Sequence, residues 1–210
     1  MAEDAERDEN WDQIREWGER KSELMETLLG PLHETVMHAI IPYSVGGALD
    51  LYYFPNDVPG TGIATMELSE LPGEGSSNDC FRNYELVMFT RETLDLDVAK
   101  DPSTPFGSFH STAHWILNAI APFSAEASLN PFETCEFPPD MDHIGGKCLV
   151  FDGYKCDDVE VEHDFGLLLL IEVFRSEMEY ARENGGAALI ERLKLAGHYP
   201  YSDLDREPVA

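Results

Sequence analysis

The sequence predicts a single α+β domain. Its 210 residues fit one large domain, and the apolar fraction of 43% is ordinary for a globular protein, so disorder of the whole chain is not expected. Short β-rich segments separated by turn clusters predict strands in the first half of the chain. Segments with apolar residues at helical spacing predict helices before and after those strands.

An acidic tail, residues 1–9, precedes the first predicted helix. Gly30-Pro31 ends this helix, because proline lacks an N–H and disfavours helix at the residue before it. A short helical turn is expected over residues 33–38. We expect the domain to span residues 10–197 and a C-terminal tail to span residues 198–210. The apolar residues at helical spacing that predict the first helix are Trp11, Ile14, Trp17, Leu24, Met25, Leu28 and Leu29.

Three strands are predicted after the first helix. Residues 49–54 are β-rich and stop at a turn cluster that begins at Pro55. Residues 63–69 alternate partly between apolar and polar side chains, and residues 84–90 form the third segment. Three strands with short connections predict an antiparallel meander.

The middle of the chain predicts a loop, a helix and an irregular region. Residues 100–107 contain two prolines and are expected to form the loop. Residues 130–142 contain three prolines and are expected to be mostly irregular, before a short strand over 147–151. The helix ends near Pro122, and one of its faces is marked by Thr112, Trp115, Ile116, Ala119 and Ile120.

The most apolar segment of the chain is Phe165 to Val173. It is apolar on both faces, which is typical of a central strand covered on both sides. Two helices are predicted after it, over residues 176–184 and 187–196, separated by Gly185-Gly186.

The charge of the chain is strongly negative. There are 14 Lys and Arg residues against 41 Asp and Glu residues, which gives a net charge of −27. Nucleic acids and anionic membranes are bound by clustered Lys and Arg, so neither is an expected partner. Such a field attracts a basic protein partner, although solubility or adaptation to salt, which needs no partner, is the commoner cause of an acidic surface.

The sequence also favours a cytoplasmic location. The N-terminus lacks the basic and apolar regions of a signal peptide. The longest apolar run, Phe165 to Ile171, has seven residues, far fewer than the roughly 18 that a spanning helix needs. The four cysteines are scattered without a Cys-x-x-Cys motif, so reduced thiols are expected: Cys80, Cys135, Cys148 and Cys156.

One acidic run stands out inside the predicted domain. It alternates with Val159 and Val161, which predicts an edge strand or the segment leading into one, with the carboxylates outward. Such charges either prevent pairing with other chains or form a docking surface for a basic partner. The run consists of Asp157, Asp158, Glu160, Glu162 and Asp164.

The sequence contains no strong catalytic or metal-binding motif. His110 and His114 are four residues apart, but Ser111 stands where the zinc-protease motif requires Glu. There is no Gly-x-Ser-x-Gly motif and no glycine-rich phosphate-binding motif. We therefore expect no catalytic residue, no cofactor and no metal.

The order of segments resembles the suppressor of fused-like domain family. The strand end Met66-Glu67-Leu68-Ser69-Glu70-Leu71, the strand beginning Tyr84-Glu85-Leu86 and the helix around Trp115 follow one another as in that family. Asp164-Phe165-Gly166, the apolar strand, Glu177 and Gly185-Gly186 before Leu189-Ile190-Glu191-Arg192-Leu193 resemble the closing strand and paired helices of the family. The resemblance extends from about Ala48 to Ala196.

This resemblance implies a central mixed, mainly antiparallel sheet packed against helices, and a non-enzymatic role in binding a protein. Animal members grip an extended peptide of a transcription factor, and many bacterial members are thought to be immunity proteins that neutralise toxins. The peptide-gripping residues do not carry over: the end of the middle helix has an aromatic in the corresponding region, Phe123, but no clear acidic counterpart can be placed in residues 130–136.

Three hypotheses about function remain open from the sequence. The first is a protein-binding domain, and within it an immunity protein whose acidity matches a basic toxin. The second is an enzyme of an unrecognised class that uses His110, His114 or a cysteine. The third is a structural or regulatory domain without a small-molecule site. The oligomeric state does not follow from the sequence.

Overall fold

The computed structural model describes the backbone of residues 2–210 and the side chains of residues 11–210. Four α-helices, one short 3₁₀ helix (Tyr43–Val45) and seven strands occur in this part of the chain. The helices are α1 (Ala2–Leu29), α2 (Pro105–Glu126), α3 (Arg175–Asn184) and α4 (Gly186–Leu195). The strands are β1 (Val36–Met37), β2 (Leu51–Phe54), β3 (Thr61–Ala64), β4 (Tyr84–Thr90), β5 (Thr134–Glu136), β6 (Cys148–Gly153) and β7 (Gly166–Val173). None of the helices described is long and apolar enough to cross a membrane.

The strands form one sheet in the order β1-β2-β3-β4-β7-β6-β5. β2, β3 and β4 pair antiparallel, which confirms the predicted meander. β7 pairs parallel with β4 and antiparallel with β6, and the long connection that a parallel pair requires contains α2, β5 and β6. The predicted fold class is therefore confirmed: a single α+β domain with a mixed, mainly antiparallel central sheet.

The sheet separates two hydrophobic cores, because successive side chains of a strand point to opposite faces. Leu168 and Leu170 of β7 belong to a cluster that includes the buried face of α2. Leu167 and Leu169 belong to a second cluster that includes residues of α1, α3 and α4. All eight residues of β7 are buried, which confirms the prediction of a central strand covered on both sides.

Two predictions about the first strands are wrong. Residues 33–38 contain the two-residue strand β1 instead of a helical turn, and β1 is fixed by pairing with β2. β3 ends at Ala64 although the pattern predicted a strand to Ser69. The regular ladder ends there because the Leu86 N–H of β4 donates to the side-chain oxygen Thr65 Oγ1 at 2.9 Å instead of to a backbone carbonyl, and Thr65 Oγ1 in turn donates to the buried carboxylate of Glu85 at 2.6 Å.

The middle helix is longer at both ends than the sequence predicts. Thr104 caps α2 by accepting a hydrogen bond from the Gly107 N–H at 3.1 Å, and Pro105 occupies the first helical position, where its missing N–H costs nothing. At the other end, α2 continues past Pro122 to Glu126. The helix therefore includes part of the predicted loop.

Residues 198–210, predicted as a C-terminal tail, pack against the domain. Tyr201 is buried and forms a parallel bridge with Phe89 of β4. Further on, two nitrogens of Arg206 donate hydrogen bonds to the carboxylate of Glu177 at 2.6 and 2.8 Å. Both side chains are almost fully buried, so the ion pair fastens the C-terminal segment to α3.

We expect Glu177 to make the fold sensitive to acid. Burial raises the pKa of Glu177, but the hydrogen bonds from Arg206 and from the backbone N–H groups of Val209 and Phe174 outweigh burial, so the pKa lies below its ordinary value. A carboxyl group whose pKa is lower in the folded state than in the unfolded state stabilises the fold at pH values above its unfolded-state pKa, which is about 4.3 for Glu. This stabilisation is lost as the pH falls through the folded-state pKa. We therefore expect the free energy of unfolding, measured in urea, to fall less between about pH 5 and about pH 3 in Glu177→Gln than in the wild type. This fall is called the acid loss below.

Glu183→Gln is the matched control, because Glu183 lies on the same helix and is exposed. It should reproduce the acid loss of the wild type. Equal acid losses in the wild type and in Glu177→Gln would contradict the assigned role of Glu177.

Candidate functional site

The acidic run forms a loop, residues 157–164, that connects β6 to β7 and is called the acidic loop below. It is not an edge strand: turns and bends lead into β7, and one residue, His163, forms an isolated bridge with Phe81. The loop turns because the Glu160 N–H donates to Asp158 Oδ1 at 2.9 Å, a side-chain bond that replaces strand pairing. Local alternation of carboxylates and valines suggested a strand, but within the described part of the chain only His163 of the loop makes backbone–backbone hydrogen bonds, with Cys80 and Arg82.

The acidic loop concentrates exposed negative charge. Asp164 lies 3.6 Å from the guanidinium of Arg82, and both side chains are more than half exposed, so the pair contributes at most about 1 kcal/mol. No ion pair joins the other four carboxylates to a described side chain. The five exposed carboxylates are Asp157, Asp158, Glu160, Glu162 and Asp164.

The loop is held by residues 78–82, called the anchor segment below. His163 N–H donates to the Cys80 carbonyl at 2.8 Å, and Arg82 N–H donates to the His163 carbonyl at 2.9 Å. The ring of Phe81 packs beside Gly166, where a Cβ atom would lie 2.2 Å from two ring carbons. Glycine at the start of β7 therefore allows the anchor segment to approach, and the C-terminal end of the acidic loop is bonded to that segment at His163.

A cluster of two thiols and an imidazole lies where the acidic loop meets the anchor segment. The sulfur atoms of Cys80 and Cys156 are 3.6 Å apart, and Cys156 Sγ is 3.4 Å from His163 Nε2. All three atoms lie within 4.8 Å of one another. Burial raises the pKa of the Cys80 thiol to about 12. Sequence spacing did not predict this cluster, because Cys80 and Cys156 are 76 positions apart.

A cleft of about 520 Å³ borders the acidic loop. Asp152 lines it and is buried; burial raises its pKa, and the Lys194 ammonium 3.5 Å away partly offsets that shift. Phe132 and Lys155 also line the cleft, with φ values of 71° and 53° that side chains rarely adopt. Backbone strain of this kind is found at functional sites more often than elsewhere. The cleft shares Asp157 with the acidic loop.

Phe123, the aromatic residue that the family resemblance singled out, is 60% exposed near the end of α2. Its neighbour Ser124 is hydrogen-bonded to Ser76 at 2.6 Å. Asn78 of the anchor segment donates to the Leu129 carbonyl at 2.8 Å, just beyond α2. The same segment therefore supports the acidic loop on one side and the end of α2 on the other.

The two histidines considered for catalysis occupy different surroundings. His110 is buried, its Nε2 lies 2.8 Å from Tyr53 Oη, and its ring packs against Phe106. Burial lowers the pKa of His110 and that of His114. His114 lines an apolar groove of about 360 Å³ beside β1, together with the fully exposed Ile40. His110 is thus a residue of the core. The apolar groove beside His114 was not predicted from the sequence.

The fold and the site define a class of protein: a domain of three layers, with α2 on one face of a mixed seven-stranded sheet, three helices on the other, and an anchored acidic loop at its surface. A crystallised chain described as "the Sufu-Fu complex crystal structure" shares this fold, with a TM-score of 0.59 and 15% sequence identity. The match covers 94% of this chain and 92% of that chain.

The sequence model of the family described as "Suppressor of fused protein (SUFU)" matches residues 47–207. The chain therefore belongs to the suppressor of fused family, which confirms the resemblance found in its motifs. The matched region includes the anchor segment, the acidic loop and most of the C-terminal segment. A search of curated protein sequences finds no match.

Proposed function

We propose that this chain is a non-enzymatic protein-binding domain. In this proposal the acidic loop binds a basic segment of the partner, and the exposed ring of Phe123 also contacts the partner. The observation behind this proposal is the row of exposed carboxylates on a loop whose C-terminal end is bonded to the anchor segment. Family membership supports it, since a structure with the same fold is described as a complex of Sufu with Fu.

The physics of association favours this surface. A loop that is already ordered loses little conformational entropy on binding, so more of its interaction energy appears as affinity. Exposed carboxylates attract a basic partner over a distance of about a Debye length and increase the rate of encounter. The adjoining cleft offers space for a side chain, with the buried carboxylate of Asp152 in its wall.

The partner that suits this surface is a protein with clustered Lys and Arg. We propose a bacterial toxin of that composition, which would make the chain an immunity protein, and we propose a cytoplasmic location for the encounter. The four free cysteines suit that location, because thiols stay reduced there.

Replacing the five carboxylates of the acidic loop by Asn or Gln should slow association with the partner. The partner would first be captured from the source cell with the wild-type chain, and the rates then measured by stopped-flow or biosensor experiments. We expect a loss in on-rate of about tenfold, a smaller change in off-rate, and a melting temperature close to that of the wild type. The wild-type on-rate should fall between about 0.05 M and about 0.5 M salt, because screening shortens the reach of the carboxylates.

A second variant controls for net charge. Neutralising five exposed glutamates on α1, α3 and α4 changes the net charge by the same amount. If the acidic loop itself contacts the partner, this variant should associate with the partner much faster than the variant of the acidic loop. The control residues are Glu16, Glu23, Glu179, Glu183 and Glu191. Equal on-rates for both variants, or a binding footprint on the apolar groove beside β1, would overturn the proposal.

A further inference from the structure

Cys80, Cys156 and His163 stand at distances that suit the corners of a zinc coordination tetrahedron. With Zn–S bonds of about 2.3 Å and Zn–N bonds of about 2.0–2.1 Å, tetrahedral geometry separates two sulfurs by about 3.8 Å and a sulfur from a nitrogen by about 3.5 Å. Two of the three distances in the cluster are close to these values: 3.6 Å between the sulfurs and 3.4 Å between Cys156 Sγ and His163 Nε2. The third, between Cys80 Sγ and His163 Nε2, is within 4.8 Å, so a small movement of the side chains brings all three donor atoms around one ion.

We propose that these three side chains bind one Zn²⁺ ion. Two thiolates and an imidazole form a donor set that zinc prefers, and three protein ligands leave a fourth position for water or another oxygen. One such oxygen is the Asp158 carbonyl, which is within hydrogen-bond distance of two of the donor atoms, 2.9 Å from His163 Nε2 and 3.4 Å from Cys156 Sγ. This site departs from the expectation of no metal, which rested on spacing along the sequence.

A disulfide between the same cysteines is the main competing use of the cluster. It would need the sulfurs to approach to about 2.05 Å, which is about 1.5 Å closer than they lie now. It would also use only two of the three groups, whereas zinc uses all three. The positions of the three side chains thus favour metal binding over oxidation.

Zinc binding would fasten the acidic loop at two points. Cys156 precedes the loop and His163 lies near its end, while Cys80 belongs to the anchor segment. On binding, each thiol loses its proton to solvent as a Zn–S bond forms, so two protons are released for each ion. The ion and two thiolates together have a formal charge of zero, so the negative charge of the loop is unchanged. The metal site stands independently of the proposed partner.

The test is titration of the reduced, metal-free protein with Co²⁺, followed by displacement with Zn²⁺. We expect one equivalent of Co²⁺ to produce thiolate-to-cobalt charge-transfer absorption and the intense visible bands of tetrahedral Co²⁺. Zn²⁺ should remove both signals. In Cys156→Ser and in His163→Ala, affinity should fall by about 100-fold or more, because loss of a supporting group alone costs about 10- to 100-fold.

Cys135→Ser is the matched control, since it leaves three thiols just as Cys156→Ser does. It should bind as tightly as the wild type, which distinguishes a defined site from scattered thiol binding. Absence of the charge-transfer band, equal affinity in Cys135→Ser and Cys156→Ser, or a Cys80–Cys156 disulfide in the protein as isolated would overturn the proposal. Because no partner is used, failure here leaves the binding role of the acidic loop unaffected.

Discussion

Replacing either Leu168 or Leu169 by Asp should unfold the protein at room temperature. The two residues are consecutive in β7 and fully buried, one packed against the α2 cluster and the other against the cluster of α1, α3 and α4. Each substitution buries a carboxylate without a partner, at a cost of several kcal/mol, and removes a leucine worth about 2–5 kcal/mol. The total stability of a domain is only about 5–15 kcal/mol. Circular dichroism and urea unfolding should show loss of the cooperative transition in both variants.

Leu195→Asp provides the control for this experiment. Leu195 ends α4 and is 83% exposed, so the same change of side chain should cost at most about 1 kcal/mol, mainly from a carboxylate near the negative end of the helix. If either Leu168→Asp or Leu169→Asp melts like Leu195→Asp, then one face of β7 is not covered as described.

The fold was largely predictable because its main elements are specified by local patterns. β7 is apolar on both faces and β4 is β-rich along its length, so each was assigned from its own residues. β1 was not predicted because a strand of two residues is too short to show a periodic pattern. These residues are a strand only because they pair with β2. The end of β3 was not predicted because side-chain bonds of Thr65 with Glu85 and Leu86, at least twenty positions away, interrupt the regular ladder there.

The candidate site was predictable in its charge but not in its geometry. Five carboxylates within eight positions are visible in any sequence, and their exposure follows from the cost of burying unpaired charge. The cluster of Cys80, Cys156 and His163 is created by tertiary structure, through the approach of the anchor segment to the acidic loop. Gly166 belongs to a family motif, and its physical reason is the packing of the Phe81 ring against it.

A second family motif, the Leu-Ser-Glu-Leu sequence of residues 68–71 after β3, is held in place by the buried ion pair of Lys21 and Glu85. Lys21 of α1 donates to Glu85 Oε1 at 2.9 Å and to the carbonyls of Met66 and Ser69 at 2.6 and 2.8 Å. The Leu68 N–H donates to the same carboxylate at 3.1 Å. These two charged side chains therefore fix the path of the segment after β3. The same ion pair joins α1 to β4 of the sheet.

Lys21→Met should destabilise the protein by about 3–5 kcal/mol, because it leaves the carboxylate of Glu85 buried without its cation. The double variant Lys21→Met/Glu85→Gln removes both charges, so its cost should be smaller than the sum of the two single costs, with a coupling energy of at least about 1 kcal/mol. Arg15→Met is the control: Arg15 lies on the same helix in an exposed pair with Asp12, and its loss should cost at most about 0.5 kcal/mol. Additive costs in the cycle, or a Lys21→Met variant as stable as Arg15→Met, would show that α1 is held to the sheet by apolar packing and that the ion pair does not stabilise the segment after β3.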